Sequence, residues 1–304
     1  MRSRTHPIPL RTPVQAGVQG HKYRRFLPLW IPACAGIRIG RGERSLPHFL
    51  FGDLPMKPLL TLALFASAVP TPALAQDARS FAAAGFDRIA VQGCDHVAIT
   101  FGAGFSVRAQ GQAGSLAAIG VAVRGRVLTL LRAKGSCDSR AGKPAATIAI
   151  TLPRLQAIEA SGTGSVRIAA LNSPTFAARM RGTGSLSIDG LRSDRAVVTL
   201  SGTGAAKLNG VQAARLSLEL GGTGSIAAAG RADALAIVAS GTGHVDTSTL
   251  ATAALSVRAS GTGSVRAAVN GPAGIDASGI ARVTVTGRPA CSVAKSGMAR
   301  VTCG

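Results

Sequence analysis

Ser161-Gly162-Thr163-Gly164-Ser165 decides how this chain is read, because the same turn returns at nearly constant spacing to the C-terminus. Gly-Thr-Gly begins at Gly162, Gly182, Gly202, Gly222, Gly241 and Gly261, in steps of 20, 20, 20, 19 and 20 residues. Two degraded copies follow, Ser278-Gly279-Ile280-Ala281-Arg282 and Ser296-Gly297-Met298-Ala299-Arg300. A fixed period of this length marks stacked supersecondary units, none of which buries its apolar face without its neighbours.

Aligning the repeats places two apolar or small residues after each Gly-Thr-Gly and three before the next, always two apart. Val166 and Ile168, Leu186 and Ile188, and Val265 and Ala267 illustrate the first group. Phe176, Ala178 and Met180, or Leu216, Leu218 and Leu220, illustrate the second. Period two means a strand with one buried face, so each repeat is read as two strands. Units this short stack like on like, and the fold class is all-β, a β-solenoid (parallel β-helix) with rungs of about 20 residues. The paired glycines (Gly162 and Gly164, Gly182 and Gly184, Gly202 and Gly204, Gly222 and Gly224, Gly241 and Gly243, Gly261 and Gly263) are the structural turns. A tight corner asks for φ > 0, and corners packed on one another leave no room for a Cβ. The threonines between them are expected to stack as a ladder.

Outward from the repeats, residues 84–153 alternate apolar and polar positions in short runs, such as Ile89 and Val91, Val97 and Ile99, and Ile148 and Ile150. They read as strands that cap the open end of the stack. A turn of helix is the reading for Gly114 to Ala118. Upstream, Met56 opens a signal-peptide grammar: Lys57, a largely apolar run from Leu59 to Val69, then Ala73-Leu74-Ala75. Residues 56–75 are therefore expected to be a cleaved signal peptide, and residues 1–55 an upstream leader that does not fold. After cleavage no stretch reaches the roughly 20 apolar residues of a membrane span. The expected place is outside the cytoplasm, in the periplasm or at the cell surface.

From Gln76 onward there are 24 Lys and Arg against 11 Asp and Glu, a formal charge of +13. Such a surface concentrates polyanions in a salt-dependent way. Nucleic acid is not the expected partner, since this part has no Trp or Tyr to stack on bases. Four cysteines remain, Cys94, Cys137, Cys291 and Cys303, one pair toward each end. Of the three possible connectivities, Cys94 with Cys137 and Cys291 with Cys303 is the expected one. Their spacing fits no zinc pattern, and no metal or cofactor is expected.

The segment Phe86-Asp87-Arg88-Ile89-Ala90-Val91-Gln92-Gly93, then Asp95-His96-Val97-Ala98-Ile99, then Ile150-Thr151-Leu152-Pro153-Arg154-Leu155 leading into the repeats, resembles a known family. This is the family of exported proteins with an autotransporter-adhesin head domain, the head GIN domain, and the resemblance covers 84–304, with 154–304 as the repeat part. It implies a β-helix of stacked Ser-Gly-Xaa-Gly turns in the envelope. The family often has an acidic residue after the second glycine. Here Ser165, Ser185, Ala205, Ser225, His244 and Ser264 stand there, so a cation-binding acidic ladder is not expected.

Four classes of function compete. No Gly-Lys-Ser/Thr or Gly-Xaa-Gly-Xaa-Xaa-Gly signature occurs at any Gly-Thr-Gly, which argues against a phosphate loop. An enzyme acting on polysaccharide would need paired carboxylates, yet Asp189, Asp194, Glu219, Asp233, Asp246 and Asp276 fall mostly at different repeat positions. Asp189 and Lys207 on adjacent rungs read as a surface ion pair, and His244 at its corner as a solvated side chain. The abundant feature is a regular basic surface. Arg167, Lys207 and Arg266, joined by Arg282 and Arg300, are the candidate ligand stripe for anionic polysaccharide or another envelope polymer. A purely structural envelope protein is the alternative.

Overall fold

The computed structural model describes residues 77–133, 137 and 144–304; the expected leader and signal peptide lie outside these. The chain runs β1 (Asp77–Phe81), β2 (Arg88–Gly93), β3 (His96–Phe101), β4 (Ser106–Gly111), α1 (Ala113–Ala117), β5 (Ile119–Arg124), β6 (Val127–Arg132) and β7 (Thr147–Leu152). The repeats follow as β8 (Ala157–Gly162), β9 (Ser165–Ile168), β10 (Leu171–Asn172), β11 (Thr175–Gly182), β12 (Ser185–Ile188) and β13 (Leu191–Gly202). The last are β14 (Ala205–Gly222), β15 (Ser225–Gly241), β16 (His244–Gly261), β17 (Ser264–Ala277), β18 (Arg282–Lys295) and β19 (Arg300–Cys303). Each repeat pairs in parallel with the next, in the register of the Gly-Thr-Gly corner: Gly162 opposite Gly182, then Gly202, Gly222, Gly241 and Gly261. This is the expected β-solenoid.

The corner explains both glycines, by different means. Gly222 has φ +137°, and a Cβ on it would lie 2.5 Å from the carbonyl oxygen of Gly202. Gly204 has no left-handed φ, yet its Cβ would meet the oxygen of Gly184 at 2.3 Å. Positive φ thus applies to the first glycine only, whereas close approach of the coil beneath applies to both and is the whole reason for the second. The approach serves hydrogen bonding: the N–H groups of Thr203 and Gly204 both donate to Gly182 O, at 3.0 and 3.1 Å. The threonines at these corners are exposed.

Every apolar position named in the sequence pattern points inward and is buried. Two strands per repeat is nevertheless an undercount, because each coil has a third side. Leu171, Leu191, Val211, Leu250 and Val269 are buried on it. That side contributes at most one large inward residue per coil, and none where Gly230 stands between Val211 and Leu250, so it shows no alternation. Its corner with the next strand is turned by buried hydroxyls. Ser173 Oγ donates to Thr175 O at 2.8 Å, and Ser193 Oγ lies 2.9 Å from Arg195 O, so these polar groups are satisfied without a water. The 19-residue step also acquires a place: Ala229 replaces Asn209-Gly210 at the second corner, where the register shifts, while the glycine corner stays aligned.

Residues 84–153 do more than cap. β2 and β3 form a true coil, with Gly93 opposite Gly162 and β3 in parallel register with β9. The chain then leaves the stack, places β6 and β7 in parallel on the far side of that coil, and returns at β8 on the near side. Beyond β6 and β7 the pairing turns antiparallel, with β5 on β6, β4 on β7 and β1 on β4. Antiparallel hairpins need only short turns, which lets the chain finish the ladder locally. Cys94 sits at the corner of the β2–β3 coil and is bonded to Cys137 in the β6–β7 link, with Cα atoms 5.9 Å apart. Cys291 in β18 is bonded to Cys303 at the end of β19, with Cα atoms 6.7 Å apart.

The β5–β6 turn uses Gly125 and Arg126, both left-handed at φ 52° and 67°. It brings Arg126 onto the carboxylate of Asp87, a residue only 2% exposed. The hydrogen bond from Arg126 holds the Asp87 carboxyl below the usual carboxylate range, against the opposing pull of burial. A depressed folded pKa stabilises the fold above the unfolded value of about 3.9, and the benefit is lost as pH falls through the folded one. Arg126→Ala keeps the Cβ and hence the turn. Its urea midpoint should lie below the parent's at pH 7, and the gap should close as the pH falls below the unfolded value and through the folded one. A gap independent of pH would show that the ion pair is not its source.

Candidate functional site

Three outward faces meet at the corners of the stack. On the face after the glycine corner, Arg167, Ser187, Lys207, Ala227, Asp246 and Arg266 occupy one outward row in consecutive coils. Neighbouring strands are about 4.8 Å apart, so Arg167 and Lys207 are separated by about 10 Å, and Lys207 and Arg266 by about 14 Å. Two of the three cations carry internal partners. Arg167 Nε lies 2.9 Å from Asp189 Oδ2, and Arg266 Nη1 lies 3.6 Å from Asp246 Oδ2. Asp189 therefore pairs with Arg167 and not with Lys207, which has no carboxylate in ion-pair reach among the described residues. Arg282 and Arg300 belong to the adjacent row, in register with Ser264.

That adjacent row contains a feature the sequence reading missed. His96 Nδ1 lies 2.7 Å from Ser165 Oγ, and His244 Nδ1 lies 2.5 Å from Ser264 Oγ. Both histidines stand one residue beyond their corner, and both serines stand at the same position one coil later. Superposing Gly93-Cys94-Asp95-His96 on Gly241-Thr242-Gly243-His244 is the signal that finds them. His244 is half-buried and hydrogen-bonded rather than freely solvated.

Around His244 the three side chains Ser264, His244 and Asp246 come together, with Asp246 Oδ2 at 3.9 Å from His244 Nε2. The Asp246 carboxyl is held below its ordinary range first by the hydroxyl and N–H of Ser248, at 2.6 and 3.0 Å, with His244 and Arg266 adding to the effect. The N–H groups of Thr262 and Ser264 are spent on Gly241 O and Gly243 O. An acyl-transfer site needs donors aimed at the developing oxyanion, and here these backbone donors serve the ladder. Among the described residues no three His, Cys, Asp or Glu side chains gather as a metal site, and no helix is long and apolar enough to cross a membrane.

The other two faces are concave. On the third side a polar hollow of about 680 Å³ is lined by Asn172, Arg192, Gln212, Arg231, Asp194 and Asp233, among others, with Arg192 Nη2 donating to Gln212 Oε1 at 2.7 Å. On the face before the glycine corner a groove of about 410 Å³ crosses β13 to β17.

A family model described as "Putative auto-transporter adhesin, head GIN domain" matches residues 85–289. No curated protein matches the chain. The fold is similar to crystal structures described as a putative adhesin from Parabacteroides distasonis (16% identity, TM-score 0.67, 76% of this chain and 97% of that one) and a putative lipid binding protein from the same species (15% identity, TM-score 0.65, 75% and 96%). A putative adhesin from Bacteroides fragilis is also similar (20% identity, TM-score 0.57, 76% and 98%). At such identities the likeness is one of fold, and none of these descriptions is that of an enzyme.

Proposed function

The chain belongs to the auto-transporter adhesin head GIN domain family, and from that premise we propose that it is an exported, non-catalytic binding protein that holds anionic polysaccharide or a similar envelope polymer weakly along its stack. Family membership and the two disulfides, a feature of oxidising compartments, fit an envelope or extracellular location. The observation that carries the reading is the common row of Arg167, Lys207 and Arg266, which repeats cationic positions along a rigid axis at multiples of one strand spacing. A polymer with regularly spaced acid groups meets such a row at several points at once, and linked weak contacts add through effective concentration.

The row also ranks its members. Arg167 and Arg266 already share charge with Asp189 and Asp246, whereas Lys207 does not. On immobilised polygalacturonate the protein should be retained at low salt and released by about 1 M salt, where the screening length falls to about 3 Å. Lys207→Ser should shorten retention more than Arg167→Ser or Arg266→Ser. No retention at any salt would point instead to a purely structural envelope role, and shortening of the polymer would point to an enzyme.

A further inference from the structure

The groove on the face before the glycine corner departs from the alternation that shapes its neighbours. On β15 the outward residues are Ala234, Ala236 and Val238, so Ala234-Leu235-Ala236-Ile237-Val238-Ala239 is apolar on both sides. Val238 is 40% exposed, one of the few large apolar side chains left in solvent. The groove is lined by Val197, Ser217, Ala236 and Ser256 in one outward row and by Ala234, Ala254 and Pro272 in the next. The two rows stand two residues apart along the strand, about 7 Å, a width for a single hydrocarbon chain. Toward the β2–β3 end the second row changes character. Ala254 is followed by Ala234, then by Arg215 and Arg195, each directly opposite the next.

Like charges directly opposite one another destabilise a sheet. Arg195 and Arg215 have no carboxylate within ion-pair reach among the described residues. Two guanidinium forks one strand spacing apart suit a carboxylate or phosphate between them. The run from Arg195 to Pro272 covers four strand spacings, about 19 Å, and the groove's volume lies within the range of small-molecule sites. We propose that this groove binds a single-chain anionic amphiphile, with its acyl chain along Ala234, Ala236 and Ala254 and its acid group between Arg195 and Arg215. The site is on a different face from the Arg167 row and does not depend on the polyanion reading.

The test is calorimetric titration of the full chain with decanoate and with uncharged decanol, each below its aggregation limit. Decanoate should bind at one site per chain. The double change Arg195→Ser/Arg215→Ser should weaken decanoate about tenfold or more, as expected for loss of charge-assisted hydrogen bonds, and leave decanol within about twofold. Ala236→Phe, which fills the floor from an outward position, should remove both ligands. Gly274→Phe gives a second block at a position where an added Cβ meets nothing within 4 Å, and it should weaken decanoate even if Ala236→Phe does not fold. The proposal is overturned by absence of decanoate binding, by binding that survives both blocking changes, or by equal losses of decanoate and decanol when the arginines are removed.

Discussion

Gly222→Ala is expected to unfold the middle of the stack, at a cost of about 4 kcal/mol or more, the range reserved for a change the structure cannot absorb. At φ +137° the new Cβ meets Gly202 O at 2.5 Å, Gly202 N at 3.0 Å and Gly202 C at 3.2 Å. All three are backbone atoms of the coil beneath, so no rotamer relieves the contact. Left-handed backbone adds about 1–2 kcal/mol for a residue with a Cβ. Whole-domain stability is usually about 5–15 kcal/mol, and in a solenoid the loss of one interface divides the stack in two. Gly224→Ala separates the two causes, since its φ is not left-handed while its Cβ meets Gly204 O at 2.4 Å. It should be costly through approach alone. Gly274→Ala is the control, in open space at ordinary φ, and should change stability by no more than about 1 kcal/mol. Urea unfolding followed by far-ultraviolet circular dichroism reads all three. A Gly222→Ala midpoint equal to the parent's would mean that the corners do not carry the stack.

The second large effect is expected where the capping strands meet the first coil. Asp95 takes the place of the second glycine at that corner, and its carboxylate is paired with Arg132, with side-chain exposures of 6% and 1%. The same oxygen accepts Ala146 N–H at 2.8 Å, and Arg132 Nη2 donates to Pro144 O at 2.9 Å. One buried pair therefore ties the start of β3, the end of β6 and the approach to β7 together. Removing one member strands a buried charge and costs about 3–5 kcal/mol, whereas replacing both with packed neutral groups costs far less. Arg132→Met and Asp95→Asn should each lower stability by that amount, and the double variant should fall well short of their sum. A double-mutant cycle in urea measures the coupling. Single variants within about 1 kcal/mol of the parent, or strict additivity, would reduce the pair to a bystander.

The corner and the capping end differ in how far they were legible. The stack shows itself in sequence because each coil repeats one local rule: glycines where the backbone below leaves no space, apolar residues two apart where a strand turns one face inward. The third side escaped notice because Leu171, Leu191 and Val211 each stand alone in their coils, and a single inward residue has no period. The β2–β3 coil escaped for a related reason. Its corner reads Gly93-Cys94-Asp95, which keeps only the first glycine of the signature, and the alignment of Gly93 with Gly162 in three dimensions identifies it as a corner.

Side-chain partnership lies further from local sequence. That Arg167, Lys207 and Arg266 face outward follows from period two, but that Asp189 claims Arg167 and Asp246 claims Arg266 depends on how adjacent coils align. The two His–Ser contacts arise in the same way, from residues 69 and 20 positions apart.

The amino-acid sequence by itself therefore determined the solenoid, its register and the inward residues on the two sides that flank the glycine corner, since these follow from steric rules that each repeat obeys locally. Only the tertiary structure decided the stacking order of the first coils, the third side, the ion pairs and the arginine-ended groove. Those depend on which coil lies against which, and stacking makes neighbours of residues a full repeat or more apart in the chain.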